Sequence, residues 1–454
     1  MLIRLVIENL FSFGEQKEFT TIPNNRFRTL DEHKYNINSF SLLKLSAIYG
    51  ANGAGKSNLV KSIELLQELV TKGRLPFKLK DASFKFNSKK NNRKQVLAVE
   101  FINNNTAFYY GIEILNNLVA TEELYLSGLG IEPDQLIFER KTNQEKITQI
   151  LFSKEFEKDE KSQLLKDILL EEFIKPNEPI LKLLSNRENQ FLKKTKEAFN
   201  WFDKKLQVIT PISKPRALVK KLDSDKRFKK YAEDMMCSFN IGVTSLEADK
   251  KELKAFFGED DEEQLENLIK EVEDSPENII GLINQNGNEI IVEKENDKLW
   301  VKSLRIGHTG KKGKTALFDL DEESDGTIRL LDFVPAFQDI ISQDRVFIID
   351  EIERSIHPLL IKELVKKFSL DPNTKGQQIF TTHESNLLDQ KILRQDEIWF
   401  AEKNENGSTD IYSLNDFKEH KTIDIQKGYL NGRYGSIPFL ANLKDLNWHD
   451  YDTN

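Results

Sequence analysis

Three strings, the first set far from the other two, describe one nucleotide site built from distant segments. GANGAGKSN occupies residues 50–58, VFIIDE occupies 346–351 and TTH follows at 381–383, with most of the sequence between the first and the second. A glycine-rich loop ending in Lys-Ser wraps phosphates with backbone N–H groups. A buried strand ending in Asp-Glu brings carboxylates to the C-terminal edge of an open α/β sheet, where ligands bind. The long gap excludes a compact GTPase or a simple kinase and predicts an ATPase head interrupted by an insertion.

The loop matches G-x-x-x-x-G-K-S. It lies between an apolar run ending at Tyr49 and a helical spacing of apolar residues at Leu59, Val60, Ile63, Leu66 and Val70. That is the strand-loop-helix context the motif requires. Gly50, Asn52, Gly53, Ala54, Gly55 and Asn58 are the expected ATP-binding frame. Lys56 is expected to reach the β- and γ-phosphates, and the Ser57 hydroxyl to ligate Mg²⁺. Asp350 is the expected second Mg²⁺ partner, through water, and Glu351 the residue that polarises the attacking water. His383 ends another buried strand, where its ring could contact the γ-phosphate; the bland reading is a structural histidine. In ESDGT, residues 323–327, Ser324 and Gly326 open an amphipathic run. They read either as a second anion site or as an ordinary N-cap.

The rest of the chain bounds the setting. With 39% hydrophobic and 31% charged residues it has the makeup of a soluble globular protein, and no apolar run is long enough to span a membrane. The opening apolar stretch contains Arg4 and Glu8, so it reads as a strand rather than a secretory signal. Cys237 is the one cysteine, which excludes an intramolecular disulfide framework and suits a cytoplasmic setting. Short alternating runs at 96–102, 107–114 and 118–126, separated by asparagine-rich turns, predict an antiparallel meander. Residues 151–280 turn helical and charged: 187–230 carry fourteen basic and five acidic side chains, and 256–277 ten acidic and one basic. Strand-like runs return at 289–294 and 299–306, followed by the glycine-lysine string 307–314. The expected division is an N-terminal lobe at 1–150 with the glycine loop and meander, a helical charged insertion at 151–280 and a C-terminal lobe at 281–454.

These strings in this order resemble the ABC-type ATPase heads of the SMC and overcoming-lysogenisation-defect group. Within it they resemble the small AAA-type ATPases of bacterial phage-defence operons (the RloA, AbiL and PARIS AriA type). The likeness rests on IRLVIENLFSF, GANGAGKSN, ESDGT and FIIDEIERSIHP and covers roughly residues 1–140 and 280–440. It implies an α/β fold: an ABC-type P-loop ATPase head with an antiparallel β subdomain, interrupted by a mainly helical insertion. It also implies that Ser324 and Gly326 act in trans, as the ABC signature of one subunit against the ATP of another. Asp325 and Thr327 depart from the usual signature, standing where a glycine and a glutamine are common. Residues 353–358 resemble the D-loop, with Ser355 and His357 near the opposite subunit, and 429–440 resemble the C-terminal segment.

The expected function is therefore an ATP-hydrolysing, Mg²⁺-dependent subunit of an abortive-infection type phage defence. It would oligomerise through its heads and control a separately encoded effector, expected to be a Toprim-like or RloB-like nuclease. The stretch after His383 lacks the acidic constellation of a Toprim module, so cleavage is expected from another polypeptide. The alternative is a DNA-repair or SMC-like ATPase acting directly on DNA. An ABC transporter motor fits poorly with the long insertion. Phe191, Phe199, Trp201 and Phe202 among the lysines of 187–230 invite nucleic-acid contact. The opposite charges of 187–230 and 256–277 equally suit contact with protein, a phage protein included.

Overall fold

Three adjacent strands carry the three strings to one edge of a sheet. In this computed structural model the described residues are 1–37, 40–86, 93–215, 217–257, 262–275, 278–284, 287–296, 298–310, 313–417, 419 and 423–437. Parts of the glycine-lysine string (311 and 312), of the acidic stretch (258–261, 276 and 277) and of the C-terminal string (438–440), together with Arg216, lie outside them. The chain forms two compact units: residues 1–211, 340–352 and 362–454, and residues 212–339 and 353–361.

The central sheet of the first unit has the order Leu206–Ile209, Val346–Ile349, Gln377–Thr382, Leu45–Tyr49, Ile398–Lys403 and Thr409–Ser413. The first five strands are parallel and the last is antiparallel. Every residue of Leu45–Tyr49, Val346–Ile349 and Gln377–Thr382 is buried. Parallel strands covered on both faces tend to read as continuous apolar runs, as Val346–Ile349 does; Gln377–Thr382 instead buries Gln377, Gln378, Thr381 and Thr382 beside Ile379 and Phe380. Gly50, Asp350 and His383 therefore follow the C-terminal ends of three neighbouring strands.

A second, seven-stranded sheet runs Thr148–Phe152, Gln135–Thr142, Leu118–Leu126, Thr106–Leu115, Gln95–Asn103, Leu2–Glu8 and Lys17–Thr20, antiparallel throughout. The expected meander is its middle. Two of its hairpins turn on asparagine pairs, Asn104-Asn105 and Asn116-Asn117, all four at positive φ. Two left-handed residues in a row match the twist of the flanking strands, and asparagine tolerates that conformation.

The helix Lys56–Lys72 buries Leu59, Val60, Ile63, Leu66 and Val70, the face expected from their spacing. It stops at Gly73, whose N–H donates to Leu69 O from a left-handed backbone. One buried cluster takes in this helix, Leu5 and Ile7 of the antiparallel sheet, and Ile348 and Ile379 of the parallel one. Trp201 and Phe202 join it: Trp201 stacks on Phe101 at 4.2 Å between ring centroids, and Phe202 meets Phe101 and Tyr110 edge-on. Phe191 packs on Phe156, and Phe199 lies against the same cluster. Of the aromatics that invited a nucleic-acid reading of 187–230, Trp201 and Phe202 thus fill the core and are not available to stack on bases, while Phe191 and Phe199 are half-buried at its margin.

Residues 151–280 are mainly helical, but two strands lie inside them. Leu206–Ile209 pairs in parallel with Val346–Ile349 and belongs to the central sheet. Phe152, Phe156, Leu169, Leu181 and Leu192 join the first unit's buried cluster, and residues 151–211 belong to that unit, so the chain divides at Pro211 rather than at the composition change near 151. Val243–Glu252 belongs to the second unit, whose antiparallel sheet has the order Val243–Glu252, Lys298–Thr309, Glu289–Glu295 and Ile279–Ile283, with Thr315–Asp319 on Lys298–Thr309. Leu253, Leu265, Val272, Ile290, Val292 and Val301 form its buried cluster. The basic stretch finds acidic partners at Glu197, Asp344, Asp332, Glu233 and Asp234. No described helix is long and apolar enough to cross a membrane.

Candidate nucleotide site

The glycine loop is held from outside by a hydroxyl cluster. Gly55 adopts φ 109°, and a Cβ there would overlap Thr409 Oγ1 and stand 2.8 Å from Ser12 Oγ. Thr409 Oγ1 donates to Ala54 O at 2.9 Å and lies 2.8 Å from Ser12 Oγ, while its N–H donates to Ser12 O at 2.7 Å. Ala54 is buried, and Asn52 and Gly53 are exposed at the loop's tip. Asn58 N–H donates to Gly55 O at 3.0 Å, opening the helix. The helix axis therefore points its positive end into the loop.

Lys56 is only 5% exposed. Its Nζ donates to Gly50 O at 2.8 Å and to Ala51 O at 3.2 Å, and lies 3.0 Å from His383 Nε2. The lysine and the histidine that the sequence places more than three hundred positions apart thus meet at the mouth of the loop.

Asp350 gathers the other side. Its Oδ1 accepts from Ser57 Oγ at 3.1 Å and from Thr381 Oγ1 at 2.6 Å. Its N–H donates to Ile209 O at 2.8 Å, so the strand hidden in the basic stretch fixes this backbone. Thr381 Oγ1 in turn accepts the N–H of Glu351 at 2.8 Å. Glu351 has φ 50°, a left-handed conformation that costs a non-glycine residue about 1–2 kcal/mol. Ile352 N–H donating to Thr381 O at 3.2 Å holds the turn on its far side. One fully buried hydroxyl thereby joins the two carboxylate residues.

Sequence reasoning passed over Thr381, Ser12 and Thr409. Thr381 was visible as the residue two before His383, and Ser12 as the hydroxyl of the opening NLFSF string. Thr381→Val keeps the shape and removes both hydrogen bonds. It is expected to lower stability by about 2 kcal/mol and ATP hydrolysis about tenfold, with Thr381→Ser near wild type. Urea denaturation and phosphate release would check this; a valine variant with unchanged turnover would remove Thr381 from the site.

The oxygens of Ser57 and Asp350 fit Mg²⁺, a hard cation commonly held by one or two protein oxygens together with substrate phosphates. Among the described residues no group of three or more His, Cys, Asp or Glu could hold a metal ion by itself.

Ser324 and Gly326 belong to the second unit. Ser324 is exposed and caps the helix Asp325–Ser342, its Oγ accepting Thr327 N–H at 3.2 Å. Asp325 is also exposed, so its charge faces solvent. Gly326 has a structural reason of its own: a Cβ there would stand 2.6 Å from the carbonyl oxygen of Ser355. The signature-like and D-loop-like segments therefore touch. Ser355, at φ 61°, and His357 are exposed.

A phosphate loop, an Asp-Glu strand end and a histidine strand end on three adjacent parallel strands, with an antiparallel sheet behind, define a P-loop ATPase head of the ABC type. Residues 45–389 match the family model described as "AAA domain, putative AbiEii toxin, Type IV TA system", and the chain belongs to that family. No curated protein matches it. Among solved structures it is similar to an Smc head bound to the C-winged helix domain of ScpA, with 13% identity, 92% of this chain and 99% of that chain covered, and a TM-score of 0.41. The SMC head domain from Thermotoga maritima is similar at 11% identity, 91% and 98% coverage and a TM-score of 0.38. So is an Smc head domain with an extended coiled coil bound to the C-terminal domain of ScpA derived from Pyrococcus furiosus, at 12% identity, 92% and 97% coverage and a TM-score of 0.39.

Proposed function

We propose that this protein binds ATP with Mg²⁺ and hydrolyses it between two copies of itself. The observation that carries the reading is the convergence on Asp350 Oδ1 of Ser57 and Thr381, opposite a Lys56 ammonium 3.0 Å from His383. Ser57 and Asp350 would hold the Mg²⁺, which neutralises phosphate charge when bound. Lys56 has its donors at the mouth of the loop and binds β- and γ-phosphate oxygens. Glu351 takes the proton of the attacking water, and Thr381 fixes the backbone from which it does so. His383 contacts the γ-phosphate beside Lys56. Ser324 and Gly326 close the site from the second copy, where the exposed hydroxyl and the helix N-terminus meet the same phosphate.

In this reading the nucleotide state governs assembly and, through it, a separately encoded effector, proposed to be a nuclease, in an abortive-infection type phage defence. The family's description, which reads "putative AbiEii toxin, Type IV TA system", supports that setting. Glu351→Gln tests the centre of the proposal. It should bind ATP as wild type does, hydrolyse it about a hundredfold more slowly and accumulate as the assembled form in light scattering. Wild-type turnover in this variant would take Glu351 out of the reaction; slow turnover without assembly would leave the hydrolysis and remove the shared site.

A further inference from the structure

A second binding surface lies beside the glycine loop, in a segment to which the ATPase reading gives no role. Among the described residues of 72–95, seven are basic and only Asp81 is acidic, in a chain of net charge −8. Lys72, Arg93 and Lys94 pair with Glu68, Glu8 and Glu113. Arg74, Lys78, Lys80 and Lys85 are exposed and have no ion-pair partner among the described residues. Two aromatic rings stand in water among them: Phe77 is 97% exposed and Phe86 76%.

Phe86 is seated, with its ring 5.7 Å from that of Phe84 and close enough to Gly407 that a Cβ there would lie 3.1 Å away. Lys80, Asp81, Ser83, Phe84, Lys85 and Arg93 are among the residues lining a cleft of about 750 Å³, room for a nucleotide unit; Phe77 and Phe86 lie outside that lining, Phe86 beside its Phe84. The cleft is joined to the nucleotide site through the chain. Ala82 O accepts Phe11 N–H at 2.5 Å, and the next residue, Ser12, braces the glycine loop through Thr409.

We infer that this cleft, with the exposed cations and rings of residues 74–86 beside it, binds single-stranded nucleic acid. Cations without partners would neutralise backbone phosphates, and exposed rings at Phe77 and Phe86 would offer faces for unpaired bases. A duplex keeps its base faces covered and could use only the charges. Polyglutamate, an acidic chain without apolar side chains, would likewise have no use for the rings. The inference goes beyond the ATPase reading and does not rest on it.

The test is fluorescence anisotropy of the full chain, without ATP, against labelled oligothymidine, the matching RNA, a duplex of equal length and polyglutamate. Either single strand should bind at low salt and weaken steeply as salt rises. Lys80→Glu with Lys85→Glu should reduce affinity at least tenfold and flatten the salt dependence. Phe77→Ala and Phe86→Ala should each reduce it roughly tenfold with the salt dependence unchanged. All four positions are exposed, and thermal melts would confirm that the variants fold. Tighter binding of duplex or polyglutamate, or phenylalanine variants that bind as wild type, would overturn the inference, as would no binding at all. Lys56→Ala should bind the strand normally, so failure of the ATPase reading and failure of this one are separable.

Discussion

Lys56→Ala is expected to lower ATP hydrolysis roughly a thousandfold and to abolish measurable binding of a fluorescent ATP analogue. The reason lies in where the ammonium sits. Lys56 is 5% exposed and donates to Gly50 O at 2.8 Å and Ala51 O at 3.2 Å, so its charge lies in the loop rather than in bulk water. A charge removed from solvent interacts with a triphosphate several-fold more strongly than one on the surface. Alanine takes that charge away and leaves two loop carbonyls without their donor. The carbonyl loss costs about 1–2 kcal/mol, which a chain of this size can absorb. The signature of the variant is therefore a fold that survives urea almost as wild type does while nucleotide affinity is lost.

Lys56→Arg sharpens the test. It keeps the charge but replaces a compact ammonium with a wide planar fork that cannot occupy the space between Gly50 O and His383 Nε2. Arginine should therefore fail nearly as badly as alanine. Hydrolysis within tenfold of wild type in the alanine variant would mean that the triphosphate does not lie on this loop.

The parts of the site that could be read from the sequence are those with a local conformational demand. The loop's glycines, the helix that buries Leu59, Ile63 and Leu66, and the apolar residues of the strands before Gly50, Asp350 and His383 (Leu45, Ala47 and Ile48; Val346–Ile349; Ile379 and Phe380) each carry their geometry within a few residues. The asparagine turns of the meander are legible for the same reason. What escaped was tertiary. Leu206–Ile209 is a four-residue strand among lysines, and only its pairing with Val346–Ile349 makes it part of the sheet. Trp201 and Phe202 looked like rings offered to a ligand because charge surrounds them in sequence; in space they close the core on Phe101.

Thr381, Ser12 and Thr409 are single hydroxyls acting across large separations, and no spacing rule finds them. Ser324 remains double-valued for a physical reason. The hydroxyl that would cap a helix and the one that would bind a phosphate look the same in sequence, and an exposed cap can serve both purposes. Glu351 shows the reverse case. Its place after a buried strand was readable, but its positive φ was not, because glutamate has no preference for that conformation and is held there by the hydrogen bond to Thr381.

The second large effect is expected from one methyl group. Gly55→Ala should destabilise the fold by about 4 kcal/mol, close to a thousandfold in the folded-to-unfolded ratio. About half is backbone: φ 109° is glycine territory, and an L-residue there pays about 2 kcal/mol. The rest is the overlap with the hydroxyls of Thr409 and Ser12. To clear the new Cβ, Thr409 Oγ1 must give up its contacts with Ala54 O and Ser12 Oγ, at about 1 kcal/mol each. These two contributions are separable. Gly53→Ala, at φ 78° with nothing within 4 Å of a Cβ, should lose only about 1–2 kcal/mol, the backbone part. A double-mutant cycle of Gly55→Ala with Thr409→Ala should show a coupling of about 2 kcal/mol, since the threonine's hydrogen bonds cannot be lost twice. Urea midpoints for the four proteins of the cycle measure it. A coupling near zero would mean that the loop moves away from Thr409 at no cost, and that the hydroxyl cluster does not set the shape of the phosphate loop.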